Sequence, residues 1–230
     1  MFIPILFENN HFLVLSKPSG LVVHPFDHST EETLLDFLYA HAPLVFSITN
    51  EKKLMDGRII NLGGLVHKLD RDTSGVLVVA KEQETFENLQ SQFKEHHITK
   101  IYTALVEGAV KEESFRIDAP LGRNKKEYKQ SVNPTNPRNT HEVRDAITDV
   151  HVLARNGGMT FVELSPLTGR THQLRAHMSH IGHPIVGDKA YGSTTPAARI
   201  MLHAKKLTFT LYGNDYSFLA ESPFTVETMK

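Results

Sequence analysis

The chain has 230 residues, with 25 Lys+Arg against 26 Asp+Glu, a formal net charge of −1, 40% hydrophobic residues and no cysteine. The absence of cysteine excludes a disulfide framework, a thiolate zinc site, an iron–sulfur cluster and a thiol nucleophile. There is no run of about 18 apolar residues to span a membrane, and the first residues lack the basic start and small-residue cleavage site of a signal peptide, so a cytoplasmic protein is expected.

Phe12-Leu13-Val14-Leu15 predicts a strand running into a Lys17-Pro18-Ser19-Gly20 turn. Thr30-Glu31-Glu32 ahead of Leu34, Leu35 and Leu38 predicts a capped helix with acids in its first turn. Leu65-Val66 and Val76 to Val79 are apolar runs flanking a polar turn, and Phe86, Leu89 and Phe93 recur at helical spacing between Gln83 and His97. Ile101 to Val106 and Met159 to Leu164 read as strands, and Leu207, Phe209 and Leu211 alternate with threonines as in a half-buried strand. Thr171 to Ile181 predicts a helix with Leu174, Met178 and Ile181 on one face, His172, Ala176 and Ser179 opposite, and Gly182 just past its end. Strands outnumber scattered helices, which favours an α+β domain around a largely antiparallel sheet. A single domain over 1–230 is expected, with a basic loop insertion at about 123–142 rich in Pro and Asn.

The near-zero net charge hides a segregation. Arg123 to Arg138 carries five basic residues against Glu127, and Pro166 to Lys206 carries six against Asp188, with five histidines besides. Acids concentrate between Asp27 and Arg58 and between Glu82 and His97. This is either ordinary solvated surface or a basic face for phosphates with an acidic back. Few phosphates would be neutralised, so a modest salt slope of binding is expected.

Three segments could carry chemistry. His67-Lys68-Leu69-Asp70-Arg71-Asp72-Thr73-Ser74-Gly75 packs acids, bases and a histidine between two apolar runs, as a polar capped turn or as a catalytic loop. Arg170 and Arg175 stand at the start of the Thr171 helix, where they fit an oxyanion or phosphate site, or the pairing of one of them with a buried carboxylate. His177, His180 and His183 invite a metal reading, but basic neighbours would repel a dication and there is no His-Glu-x-x-His. Tyr102 lies alone in its strand, either as a packed aromatic or as a ring that stacks on a base with its hydroxyl available for proton transfer. Nucleophile-elbow, P-loop and dinucleotide-binding signatures are absent.

Taken together, these segments resemble the RluA-type family of RNA pseudouridine synthases. The resemblance runs in order through Leu15 to Pro25, His67 to Val79, Lys100 to Gly108, Thr168 to Gly192, and Met201-Leu202-His203-Ala204. It departs from the family pattern at Lys68, where arginine is usual, and it starts so early in the chain that the N-terminal RNA-binding module of many relatives is expected to be missing. The resemblance implies a pseudouridine-synthase-like catalytic domain around a mixed, largely antiparallel sheet with flanking helices. It implies isomerisation of specific uridines in ribosomal or transfer RNA by detachment, rotation and reattachment of the base, with Asp70 as catalytic aspartate. Arg170 would keep that carboxylate ionised and oriented, with Arg175 as runner-up, and Tyr102 would stack on the flipped uracil with Leu174 beneath it. Lys17, His67, Arg71 and His172 are weaker candidates for holding the RNA backbone. No metal or organic cofactor is implied; the short, single-domain architecture favours a structured RNA stem-loop as the expected partner, and a monomer is the default expectation. The alternative is a non-catalytic RNA-binding protein that retains the fold.

Overall fold

The computed structural model describes residues 2–26, 30–124, 129–134 and 140–225. Strands β1 (Ile5–Glu8) and β2 (Phe12–Lys17) lead to helix α1 (Leu34–His41), the short strands β3 (Glu51–Lys53) and β4 (Ile59–Asn61), strand β5 (Ser74–Ala80) and helix α2 (Gln83–Lys94). The chain continues through β6 (Thr99–Glu107), β7 (Ser114–Asp118), β8 (Leu121–Asn124), β9 (Gln130–Val132), β10 (Thr140–Arg144), β11 (Ile147–Asn156) and β12 (Met159–Pro166). Helix α3 (Gln173–His180) and strands β13 (Leu202–Leu211) and β14 (Asn214–Leu219) complete it. Among the described residues, no helix is long and apolar enough to cross a membrane.

The chain divides into two compact units, Met1–Thr99 with Lys206–Glu221, and Lys100–Lys205 with Ser222–Lys230. In the first, β1 pairs with β2, β2 with β5 and β13 with β14, all antiparallel. Strand β5 is buried along its whole length, which is why Val76 to Val79 read as an unbroken apolar run. Phe12, Val14, Val76, Val78, Leu89 and Phe209 form one core. The cap of α1 lies three residues beyond the expected Thr30. Thr33 is the cap, and the Asp36 carboxylate accepts both its N–H and its hydroxyl at 2.7 Å.

In the second unit, β6 pairs with β12, β12 with β11 and β11 with β7, again antiparallel. A separate three-stranded sheet, β10-β8-β9, also antiparallel, reaches into the expected basic insertion, so three short stretches of that region are strand rather than loop. Lys125, Lys126 and Arg138 lie outside the described residues. The α+β class with antiparallel pairing is as the sequence implies.

Helix α3 differs from its expected one-sided form. Leu174 and Met178 are buried, as the spacing predicts, but so are Gln173, Arg175, Ala176 and His177. The helix starts at Gln173 rather than Thr171, because His172 takes a left-handed conformation at φ 54°. Burial all round requires each polar side chain to find a partner inside the protein, and those partners define the site.

Candidate active site

In the first unit, Asp70 lies half-buried in the turn that feeds β5. The turn closes on itself through the Thr73 N–H, which donates to the Asp70 carbonyl at 3.2 Å. The Lys17–Gly20 segment ties it down. The Gly20 N–H donates to the Arg71 carbonyl at 2.9 Å, and the Ser19 hydroxyl donates to the Asp72 carbonyl at 2.7 Å. Gly20 sits at φ 85°, in the left-handed region that glycine adopts freely. The two motifs, more than fifty residues apart, therefore build one backbone frame around the aspartate.

Lys17 is the centre of that frame. It is fully buried, and its ammonium donates to the carbonyls of Pro18, Leu21 and Arg71 at 2.8–2.9 Å. The expected contact of Lys17 with the RNA backbone is thereby corrected, since a side chain with no exposed surface holds the protein's own main chain and not a phosphate. His67 is also committed to the fold. Its Nε2 accepts the Val78 N–H at 3.0 Å, and its ring stacks on Phe93 with centroids 4.6 Å apart. Arg71 and Lys68 are exposed, and Arg71 pairs with Glu31 at 2.9 Å.

In the second unit, Tyr102 lies on β6 opposite Leu164 of β12 and packs against the core that contains Leu174 and Met178. The structure thus brings Tyr102 and Leu174 into one cluster. Lys100, two residues earlier on the strand, projects to the same side as Tyr102. Its Nζ donates to the Thr168 carbonyl at 3.3 Å, and burial lowers its pKa to about 8.

The turn from Thr168 to Gln173 presents Arg170, and Gln173 organises it. The Gln173 Oε1 accepts the Thr168 hydroxyl at 2.7 Å and the Arg170 N–H at 3.0 Å. Its Nε2 donates to the Ile147 carbonyl at 2.9 Å and to the Thr148 hydroxyl at 3.0 Å. With Arg170 so fixed, its Nε donates to the Asp145 carbonyl at 3.0 Å. Sequence reasoning passed over Gln173. The signal was present in its spacing, because a Gln three residues after a turn residue reaches back to that residue's N–H as in a capping box.

Arg175 settles between the two expectations held for it. It is buried and forms a two-pronged pair with the fully buried Asp188, at 2.6 and 2.9 Å, with its guanidinium 5.0 Å from the centre of the Tyr191 ring. It is the arginine that meets a buried carboxylate, which corrects its assignment as an RNA contact. His172 Nδ1 lies 3.1 Å from the Tyr191 hydroxyl, which also accepts the Gln130 N–H at 2.8 Å. Within the histidine cluster, His177 is fully buried between the Thr148 hydroxyl at 3.0 Å and the Ala119 carbonyl at 2.9 Å. His183 Nδ1 lies 2.8 Å from the Glu107 carbonyl. Among the described residues, no three metal-ligating side chains gather.

Comparison with known proteins places this arrangement. The family profile described as RNA pseudouridylate synthase matches residues 11–180, which include Asp70, Tyr102 and Arg170. The chain is 37% identical over 216 residues to the Bacillus subtilis (strain 168) protein named uncharacterized RNA pseudouridine synthase YlyB, covering 94% of this chain and 65% of the relative. It is 35% identical over 229 residues to ribosomal large subunit pseudouridine synthase D of Nitrosomonas europaea, covering 95% of this chain and 61% of the relative. The chain thus spans just under two thirds of the length of these relatives. Among solved structures, human RNA pseudouridylate synthase domain containing 1 matches with a TM-score of 0.77 and 28% identity, covering 98% of this chain and 86% of that one. By sequence pattern and by fold, the chain belongs to the RNA pseudouridylate synthase family.

Proposed function

We propose that this protein is an RNA pseudouridine synthase whose nucleophile is Asp70. The observation that carries the reading is the frame around that residue, a partly exposed carboxylate in a turn fixed by Thr73, Gly20, Ser19 and Lys17. Catalysis by positioning needs a group held in one geometry before substrate arrives. In the reaction, the bond between uracil N1 and the ribose breaks, the base turns, and a carbon–carbon bond forms at C5. The C5 hydrogen leaves as a proton, so nothing is oxidised or reduced and no cofactor or metal is called for. A carboxylate can serve as nucleophile and leaving group. Tyr102 is proposed as the platform for the extruded base, on the Leu174 cluster, and Arg170 as a fixed positive charge.

The two units are proposed to act as one catalytic domain, since the family profile runs through both. A ribosomal target is favoured over transfer RNA by the name of the Nitrosomonas relative. A structured stem-loop as substrate, a monomeric state and a cytoplasmic site of action complete the proposal. The test uses RNA carrying tritium at uridine C5. Wild-type protein releases tritium, and Asp70→Asn retains RNA binding but releases none. Robust release by the variant would remove Asp70 from its role. Pseudouridine mapping of total RNA from cells with and without the gene then names the target uridine.

A further inference from the structure

The small β10-β8-β9 sheet carries side chains that the reaction proposed above does not use. Its register sets Arg123 opposite Gln130 and Leu121 opposite Arg144, so these side chains share one face. Across from that face stand Gly169, Arg170 and Thr171, and between them lies a cavity of about 400 Å³. Among the described residues, the arginines Arg123, Arg144 and Arg170 line it, with Glu142 as the one carboxylate.

The cavity is built on a fixed floor. Leu121 packs with Ala146, Ala176 and Tyr191, and the Tyr191 hydroxyl accepts the Gln130 N–H. The sheet is thus anchored to α3, beside the turn that Gln173 holds. The one carboxylate is loosely held by contrast. Glu142 pairs with Arg144 at 2.6 Å, and both side chains are more than half exposed. The Arg144 hydrogen bond keeps the Glu142 carboxyl below its ordinary pKa, and the charge of Arg170 adds to this. An exposed pair of this kind is weak, because solvent screens it. A phosphodiester offers arginine two non-bridging oxygens that share one negative charge, a pair of acceptors that the guanidinium fork can take in place of Glu142.

We propose that this groove binds the phosphodiester backbone of the substrate RNA next to Arg170, with Glu142 as a stand-in carboxylate that RNA displaces. The identity of the polyanion as RNA rests on the function proposed above. The groove itself rests on the three arginines and their anchored floor.

The test is the binding of a fluorescent uridine-rich RNA hairpin over a range of salt concentrations. Arg144→Ala should weaken binding about tenfold and lower the slope of log affinity against log salt by about 1. Glu142→Gln should tighten binding several-fold. Arg116→Ala is the matched control, because Arg116 is as exposed as Arg144 and is likewise paired with a carboxylate, that of Asp149, on strand β7. It should leave binding unchanged. Melting curves check that each variant is folded. Equal losses from Arg144→Ala and Arg116→Ala, or no loss from either, would overturn the groove. Inorganic phosphate, at unchanged ionic strength, erasing the difference between wild type and Arg144→Ala would overturn the assignment to the RNA backbone and leave a site for a free anion. Tritium release separates this proposal from the previous one. Loss of affinity in Arg144→Ala with no tritium release by wild type keeps the groove and sinks the isomerase. Normal release by wild type, with unaltered RNA affinity in Arg144→Ala, does the reverse.

Discussion

The Gln173 Oε1 accepts the N–H of Arg170 at 3.0 Å, so a buried neutral side chain sets the conformation of the turn that carries a half-buried charge. Gln173 uses both donors and both acceptor positions in four hydrogen bonds to four residues. Replacing it with alanine leaves several buried groups unpaired, which should destabilise the protein by about 2–4 kcal/mol. Gln173→Glu keeps the acceptor for Arg170 but sets a carboxylate oxygen against the Ile147 carbonyl. Both variants should lower kcat for tritium release more than they weaken RNA binding. Urea unfolding and single-turnover kinetics check the two effects separately.

The Arg175–Asp188 pair yields a larger stability effect. Asp188 is fully buried and Arg175 nearly so, so removing one partner leaves the other charge without its match. Asp188→Ala should cost about 3–5 kcal/mol. Arg175→Lys keeps the charge but loses the fork and the stacking over Tyr191, so a smaller loss is expected. Midpoints of urea unfolding rank the two variants, and the reverse order would contradict the geometry.

The residues proposed for the chemistry stand out in the sequence, while the contacts that hold them do not. Asp70, Tyr102 and Arg170 stand out because short motifs of unusual composition surround them. The strands were legible too, since Val76 to Val79 and the alternation at Leu207, Phe209 and Leu211 follow directly from burial on two faces or one. The roles of Lys17 and Gln173 were not, and Arg175 stayed open between two readings, because each is fixed by a partner elsewhere in the chain, at Arg71, Ile147 and Asp188. Lysine and arginine look like surface residues until a distant loop supplies oxygens for them. The all-round burial of α3 is hidden for the same reason, as periodicity marks its apolar face but not polar residues whose partners lie elsewhere.

Glu107 makes stability depend on acid pH. Desolvation raises its pKa, but hydrogen bonds from the Ser193 hydroxyl and from Thr195 and Thr194 outweigh this and lower it to about 2. A carboxyl with a depressed folded-state pKa stabilises above its unfolded value near 4.5, and that contribution fades as pH falls towards 2. Glu107→Gln should therefore unfold more readily than wild type at pH 6, with the gap closing between pH 4.5 and 2. Thermal melts across that range measure it, and a constant gap would contradict the assignment.

Lys100 acts at the other end of the scale. Its folded pKa of about 8 lies below the ordinary 10.5 because burial penalises the ammonium. Between these values the folded protein releases a proton that the unfolded chain keeps, so this residue makes stability rise with pH from about 8 to 10.5. Below pH 8 the full penalty is present. In Lys100→Met this rise should be absent. The difference between variant and wild type, followed by urea unfolding, isolates Lys100 from other groups titrating in the same range.

The sealed ammonium of Lys17 also bears on chemical reactivity. An amine with no surface, bonded to three carbonyls, is shielded from acylating reagents as long as the Asp70 turn stays closed. Among the described lysines it should be the slowest to label in the native protein. Its labelling rate then counts how often the turn around Asp70 opens, so one residue of the opening motif becomes a built-in reporter on the motions of another.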